Sequence, residues 1–326
     1  MKNKQLKKSL TLLRLIMIVV PFVWIYKQTD PHSVKKIVET IDPRMILLIV
    51  MTGVSVMMIQ GVKWWFLMRR FIPQLHLLYT LKVHLTSSFY SMVLPTSAAH
   101  DVLRAVILSK NHSAKVIWAS SWLARLTGII VLMVLSVSGA LLLSSHDLPS
   151  NFRTTLFTIL AMVSFLGVAS FSKTVTRPFS KVIRKLPFEK ITAESKKLRD
   201  AIYDYRNAYS TIIGAVLLSA LVHMLIILNA TFIIYAITGD FYLVQCIAFI
   251  PLIEILSISI PLTPGGIGIR EALSALMFAQ LGLSADQLGT YVIFSLMLSL
   301  LRIVGVLPIL FDFFKRKMHR TQLLSE

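Results

Sequence analysis

Apolar runs long enough to cross a bilayer recur along this chain, and nothing else in it constrains the fold as strongly. Residues 11–27, 45–62, 116–143, 154–171, 210–237 and 287–311 each approach the roughly 20 apolar residues that a spanning helix needs. In hydrocarbon, backbone N–H and C=O groups have to be satisfied within the protein, and continuous apolar runs of this length do so as helices. The sequence predicts an all-α, polytopic integral membrane bundle. With 56% of the residues hydrophobic and 15% charged, too few polar residues remain for a sizeable soluble domain. One integral membrane domain over residues 1–326 is expected.

The first apolar run follows Lys2, Lys4, Lys7 and Lys8, as in a signal peptide. Lys27, Gln28, Thr29 and Asp30 follow it with no small-residue cleavage site, so it reads as a retained anchor. Arg14 lies near the membrane edge, where its side chain can snorkel. The single cysteine, Cys246, excludes a disulfide framework or a thiolate metal cluster. A net charge of +19 is also found in nucleic-acid binders, but basic residues gather in the cytoplasmic loops of membrane proteins without any such partner. No nucleic-acid partner, cofactor or metal is expected.

A motif appears once in each half of the chain. Residues 94–105 read LPTSAAHDVLRA and residues 260–272 read IPLTPGGIGIREA. In each, a proline closes an apolar stretch, turn-forming residues follow, and an arginine stands nine positions after the proline: Pro95 to Arg104, and Pro261 to Arg270. The apolar segments that lead into them, 83–95 and 243–262, are cut short. Paired interruptions of this kind point to a substrate site near the bilayer midplane.

Charge then sets a topology. Residues 172–209 carry ten basic residues, whereas 144–152, 238–242 and 283–286 carry none. If all eight segments crossed, the most basic loop would face outside, against the positive-inside rule. If the two motif segments dip in and return, that loop and both tails fall inside, and only 28–44, with Lys35, Lys36 and Arg44, fits poorly. The reading is therefore about six crossing helices plus two re-entrant hairpins in an inverted repeat. The first half spans about 1–143 and the second about 154–311, in a cytoplasmic (inner) membrane with both termini cytoplasmic. Proline-kinked ordinary helices are the plainer alternative. Within the basic loop, Leu198, Ile202 and Tyr205 share a helical face that could lie on an anionic leaflet; a solvated topology determinant explains the same charges.

Charged groups inside apolar segments need a reason, because an arginine at the centre of a membrane helix costs roughly 2.5–3.5 kcal/mol on insertion scales. The candidates are Arg104, Arg125, Arg270 and Arg302, with Asp101, Glu254 and Glu271 as acidic partners; His100 and His223 carry less weight. Four arginines facing one cavity would bind a phosphate or another anionic head group, since guanidinium binds such groups bidentately. Internal pairing is the alternative, with Asp101 against Arg104, and Glu254 neutralising Arg270 or Arg302 across the bundle. Gly265, Gly266 and Gly268 permit a tight turn, and a helix starting there would aim free N–H groups at an anion.

The chain contains no P-loop, no HExxH pattern and no Asp-x-Asp pair, so nothing points to an ATP-driven pump or a familiar metal-dependent reaction.

The two motifs resemble those of the lysylphosphatidylglycerol synthase transmembrane-region family, a flippase-like domain. Its second motif, Pro-x-x-x-Gly-Gly-x-Gly-x-Arg-Glu, matches at Pro261, Gly265, Gly266, Gly268, Arg270 and Glu271. Its first, Pro-x-x-x-Gly-Gly-Asp-x-x-Arg, matches at Pro95, Asp101 and Arg104, with Ala99 and His100 in place of the two glycines. WLARLTG at 122–128 is similar to the family's acid-Arg-Leu helix, with Arg125 in place and Ala124 where an acid is common. The resemblance implies movement of a lipid across the bilayer. In fused members the domain accompanies an aminoacyl-transfer domain, for which these 326 residues leave no room, so a stand-alone member is expected. The expected partner is an anionic phospholipid or a polyprenyl-phosphate-linked lipid, with an enzyme of lipid or glycan synthesis as a possible associate. A membrane transferase or its accessory subunit is the alternative function, and a membrane scaffold a third; no oligomeric state is implied.

Overall fold

The computed structural model describes residues 19–20, 23–92, 94, 99–143, 154, 158, 161, 205–259, 263 and 266–312. Nine helices of ten residues or more have defined bounds there: α1 (Pro31–Thr40), α2 (Pro43–Met68), α3 (Leu77–Ser91), α4 (Ala99–Leu108), α5 (Ala114–Leu142), α6 (Tyr209–Thr238), α7 (Leu243–Ser259), α8 (Ile269–Ala279) and α9 (Ala285–Leu300). After α9 a 3₁₀ turn, Leu301–Gly305, leads into helix again, so that Ala285–Asp312 forms one long apolar element. That element, α2, α5 and α6 are long and apolar enough to cross a membrane. The protein is a polytopic helical membrane bundle, with no strand among the described residues.

Four of the six expected spans are found. The other two, 11–27 and 154–171, lie largely outside the described residues, as do the aminoterminal tail and most of the basic loop at 172–209. One boundary moves, one connection is helical, and one loop residue is buried. The span expected to stop at residue 62 continues as α2 to Met68, which takes Lys63 out of a loop and into a helix. The connection at 28–44 contains α1, which packs against α9. Asp30 caps α1 by accepting from the His32 and Ser33 N–H groups, and Pro31 opens the helix where a missing N–H is harmless. The Asp30 N–H in turn donates to Asp286 Oδ1, 2.8 Å away. Tyr205, which the sequence puts on an amphipathic face of the basic loop, is only 1% exposed. Its ring stands 4.6 Å from that of Phe71 and its hydroxyl donates to the Leu67 carbonyl, so the end of the basic loop is fastened to α2; Leu198 and Ile202 lie outside the described residues.

Lipid tails are as apolar as leucine, so close backbone approach and buried polar contacts hold such helices together. α6 runs along α2, where Asn229 Nδ2 donates to the Ile49 carbonyl at 2.7 Å and to Thr52 Oγ1 at 2.6 Å. Between α2 and α5, the Trp64 indole N–H donates to Ser121 Oγ at 3.0 Å. The tightest fit joins α5 to α7. A Cβ on Gly139 would lie 2.4 Å from the Ala248 nitrogen, closer than any side chain permits. Pro251 interrupts α7 just beyond, removing the N–H that would bond the Ile247 carbonyl one turn earlier.

Each expected short segment is a helix followed, after a break, by a shorter helix: α3 then α4, and α7 then α8. The members of each pair pack together, and the second member also packs on the next long helix, α4 on α5 and α8 on α9. Pro95, Pro261, Pro264 and Gly265 lie outside the described residues.

Gly139→Leu is expected to destabilise the bundle by about 1–3 kcal/mol or more through overpacking against α7, read as a lowered thermal unfolding temperature in detergent. Val134→Ala, on an exposed position of the same helix, should change stability by no more than about 0.5 kcal/mol. Equal effects would contradict the close α5–α7 contact.

Candidate functional site

Two polar cavities open within the bundle. The first, about 230 Å³, is lined by Lys63, Asp101, Arg104 and Arg125, with His100 and His223 beside them. The second, about 280 Å³, is lined by Glu254, Arg270 and Arg302, with Ser295, Ser299 and Asn229. Gln60 on α2 borders both.

The first is built where α4 meets α2 and α5. Asp101 and Arg104 lie three residues apart on α4, hence on one face, and Arg104 Nη2 sits 2.8 Å from Asp101 Oδ1. The other oxygen of Asp101 receives Arg125 Nη1 from α5 at 3.4 Å. Arg104 is only 4% exposed; its guanidinium lies 4.6 Å above the Trp64 ring, and its Nε has no hydrogen-bond partner. Lys63 reaches the same space from α2, donating to the Ala124 carbonyl at 3.0 Å and Ser219 Oγ at 3.2 Å. His100, where the family pattern has glycine, pins α4 to α3: its Nε2 lies 3.2 Å from the His84 carbonyl, and the two rings meet edge to face at 4.5 Å.

The second cavity depends on the turn that starts α8. Gly266 and Gly268 have φ of 79° and 89°, a region that side-chain-bearing residues avoid. From α8, Glu271 folds back, and its Oε2 accepts the Gly268 N–H at 2.7 Å. Its Oε1 accepts from Arg270 Nη2 at 2.9 Å and from Ser295 Oγ at 3.2 Å. Arg270 Nη2 also lies 2.7 Å from Ser299 Oγ and 3.4 Å from Ser295 Oγ. Ser295 and Ser299 stand four apart on α9, so both face the arginine. Glu271 is fully buried, and both of its oxygens are occupied.

Three expectations change here. The four arginines do not share one cavity: each motif arginine stays with the long helix that its own segment packs on, so Arg104 and Arg125 line one cavity, and Arg270 and Arg302 the other. The direct ion pair of Arg270 is with its neighbour Glu271; Glu254 makes no contact ion pair among the described residues, but its charge acts on both Arg270 and Arg302 across the cavity. The Gly268 N–H is not free for an anion, because Glu271 takes it. Asp101–Arg104 pairing, in contrast, is present as expected.

Lys63 and Gln60 were missed. Lys63 falls one residue past the expected end of the 45–62 span; its signal is the apolar GVKWWFL context, which continues the helix past it. Gln60 carried no motif at all.

Glu271→Ala should cost about 3 kcal/mol, because it removes a fully buried carboxylate and leaves the partly buried Arg270 charge without its ion pair. The double variant Arg270→Met with Glu271→Leu is expected to recover part of that loss in thermal unfolding measured in detergent. A double variant no more stable than the single one would count against a buried ion pair as the main role of Glu271.

A search of curated proteins found no match, and neither did a search of solved structures. The family model described as the lysylphosphatidylglycerol synthase TM region, a membrane domain, matches residues 11–306. That span takes in both interrupted segments and every residue described around the two cavities, and the chain belongs to the lysylphosphatidylglycerol synthase transmembrane-region family.

Proposed function

We propose that this protein translocates an anionic lipid, either a phospholipid or a polyprenyl-phosphate-linked lipid, across the cytoplasmic membrane. The observation that carries this reading is the pair of adjoining polar cavities, each holding arginines from one half of the chain and sharing Gln60 as a common wall. Arg104 and Arg125 bind the phosphate on one side of that wall, and Arg270 and Arg302 on the other, as guanidinium groups do with oxyanions. Asp101, Glu254 and Glu271 orient the arginines, and the glycine turn at Gly266 and Gly268 sets the start of α8. Hydrocarbon chains stay in the bilayer while the head group passes inside.

In this reading α3 with α4 and α7 with α8 are re-entrant hairpins of an inverted repeat, within one domain whose termini are cytoplasmic. Polar backbone at membrane depth is tolerable there because it lines a wet cavity. Two adjoining chambers of unlike charge suit a pathway with more than one resting position. Net flux follows a lipid gradient, or removal of product on one face, since a site that binds its ligand equally from both sides shifts nothing by itself.

The test is translocation in proteoliposomes of fluorescent phosphatidylglycerol, lysylphosphatidylglycerol and polyprenyl-phosphate lipids. Arg104→Ala and Arg270→Ala are expected to slow transport at least about tenfold. Arg125→Ala and Arg302→Ala, on less buried side chains, provide variants whose folding is easier to preserve. Undiminished transport in all four folded variants would overturn the site assignment. No transport of any lipid by folded wild type, with a proton gradient imposed, would favour the transferase or accessory reading.

A further inference from the structure

We infer that the first cavity receives a phosphate monoester in its dianionic form, with Lys63 as a third cationic contact; this rests on the lipid-transport reading and names the head-group class.

The inference starts from charge. Lys63, Arg104 and Arg125 line this cavity against a single carboxylate, Asp101. Both oxygens of Asp101 are already engaged, one by Arg104 and one by Arg125, so it has little left for Lys63. The second cavity balances, with Arg270 and Arg302 against Glu254 and Glu271. A buried excess of positive charge is costly unless something compensates it. A phosphodiester head group brings one negative charge, whereas a monoester brings about 1.5 to 2 near neutral pH. The monoester is the closer complement.

Hydrogen bonding points the same way. An ammonium has three N–H donors, and Lys63 uses two, on the Ala124 carbonyl and Ser219 Oγ. Ser219 Oγ lies in turn 2.8 Å from the Ala215 carbonyl and 3.1 Å from Thr127 Oγ1. This network fixes the lysine head between α2, α5 and α6 rather than leaving it to swing. Arg104 is buried more deeply still, and its Nε has no partner. Donors left over on two buried cations suit the three terminal oxygens of a monoester better than the two unesterified oxygens of a diester. At about 230 Å³ the cavity has room for a head group rather than for a hydrocarbon tail.

The experiment uses the full chain in nanodiscs of neutral lipid, at about pH 7, where monoesters carry about 1.5 to 2 negative charges. Binding is measured for phosphatidic acid and farnesyl phosphate as monoesters, phosphatidylglycerol as diester, and inorganic phosphate. Wild type is expected to prefer both monoester lipids over phosphatidylglycerol by at least about tenfold. Lys63→Gln should reduce that preference to about threefold or less. Arg125→Gln, on a more exposed side chain, should do likewise and serves if Lys63→Gln does not fold. Lys35→Gln, on α1 and far from the cavities in sequence and role, should leave the preference unchanged. Inorganic phosphate competing as well as the lipids, with the same loss in the variants, would support the dianion site and identify soluble phosphate as its source.

Equal binding of diester and monoesters would overturn the inference, as would a preference that survives both substitutions. Translocation of phosphatidylglycerol without monoester preference would leave the transport reading standing and remove only this one. A monoester preference without translocation would do the reverse.

Discussion

The two cavities exist because carboxylates hold arginines that the apolar surroundings would otherwise reject. Asp101 joins Arg104 on α4 to Arg125 on α5, and Glu271 joins Arg270 to the start of α8 and, through Ser295, to α9. Each acid ties a short helix to the long helix it packs on. An uncompensated arginine at such depth would lower the stability of the bundle or pull toward the interface. Held in place, it keeps a polar surface open inside the membrane domain.

Around these pairs the bundle is held by close approach and by polar contacts rather than by apolar area alone. Gly139 lets α5 press on the backbone of α7, Asn229 stitches α6 to α2, and Tyr205 closes the end of α2. These contacts fix the walls from which Glu254, Gln60 and Lys63 project. The fold and the site therefore share a device: a polar side chain in hydrocarbon is held wherever its partner is held.

Much of the fold was legible because apolar length is a strong signal. The spans at 116–143 and 210–237 lie within a few residues of α5 and α6. Boundaries failed where a charge was taken to mark water. Lys63 ended an expected span, yet the helix continues through it because Trp64, Trp65, Phe66 and Leu67 keep the chain apolar. The site residues of the motifs were legible, and so was the Asp101–Arg104 pair, since spacing along one helix is local information. Which arginines share a cavity was not, because that depends on how α4 and α8 pack. The pairing of Arg270 with Glu271 was hidden for a similar reason: adjacent residues on a helix do not normally face each other, and here the glycine turn lets the glutamate reach backward. Gln60 was invisible, since a single neutral amide in an apolar run has no pattern to set it apart.

That glutamine has a consequence of its own. A fixed charge at the partition between a positively charged chamber and a balanced one would attract one kind of ion and bar the other. An amide carries no net charge, and it offers two donors on one end and an acceptor on the other. Turned one way it can greet an oxyanion; turned the other it can accept from a guanidinium, and the change is a rotation about its own side-chain bonds with no proton gained or lost. On the transport reading, the boundary between the chambers is thus a hinge of polarity, indifferent to the sign of what would pass it, and selectivity would fall to the arginines and lysine on either side.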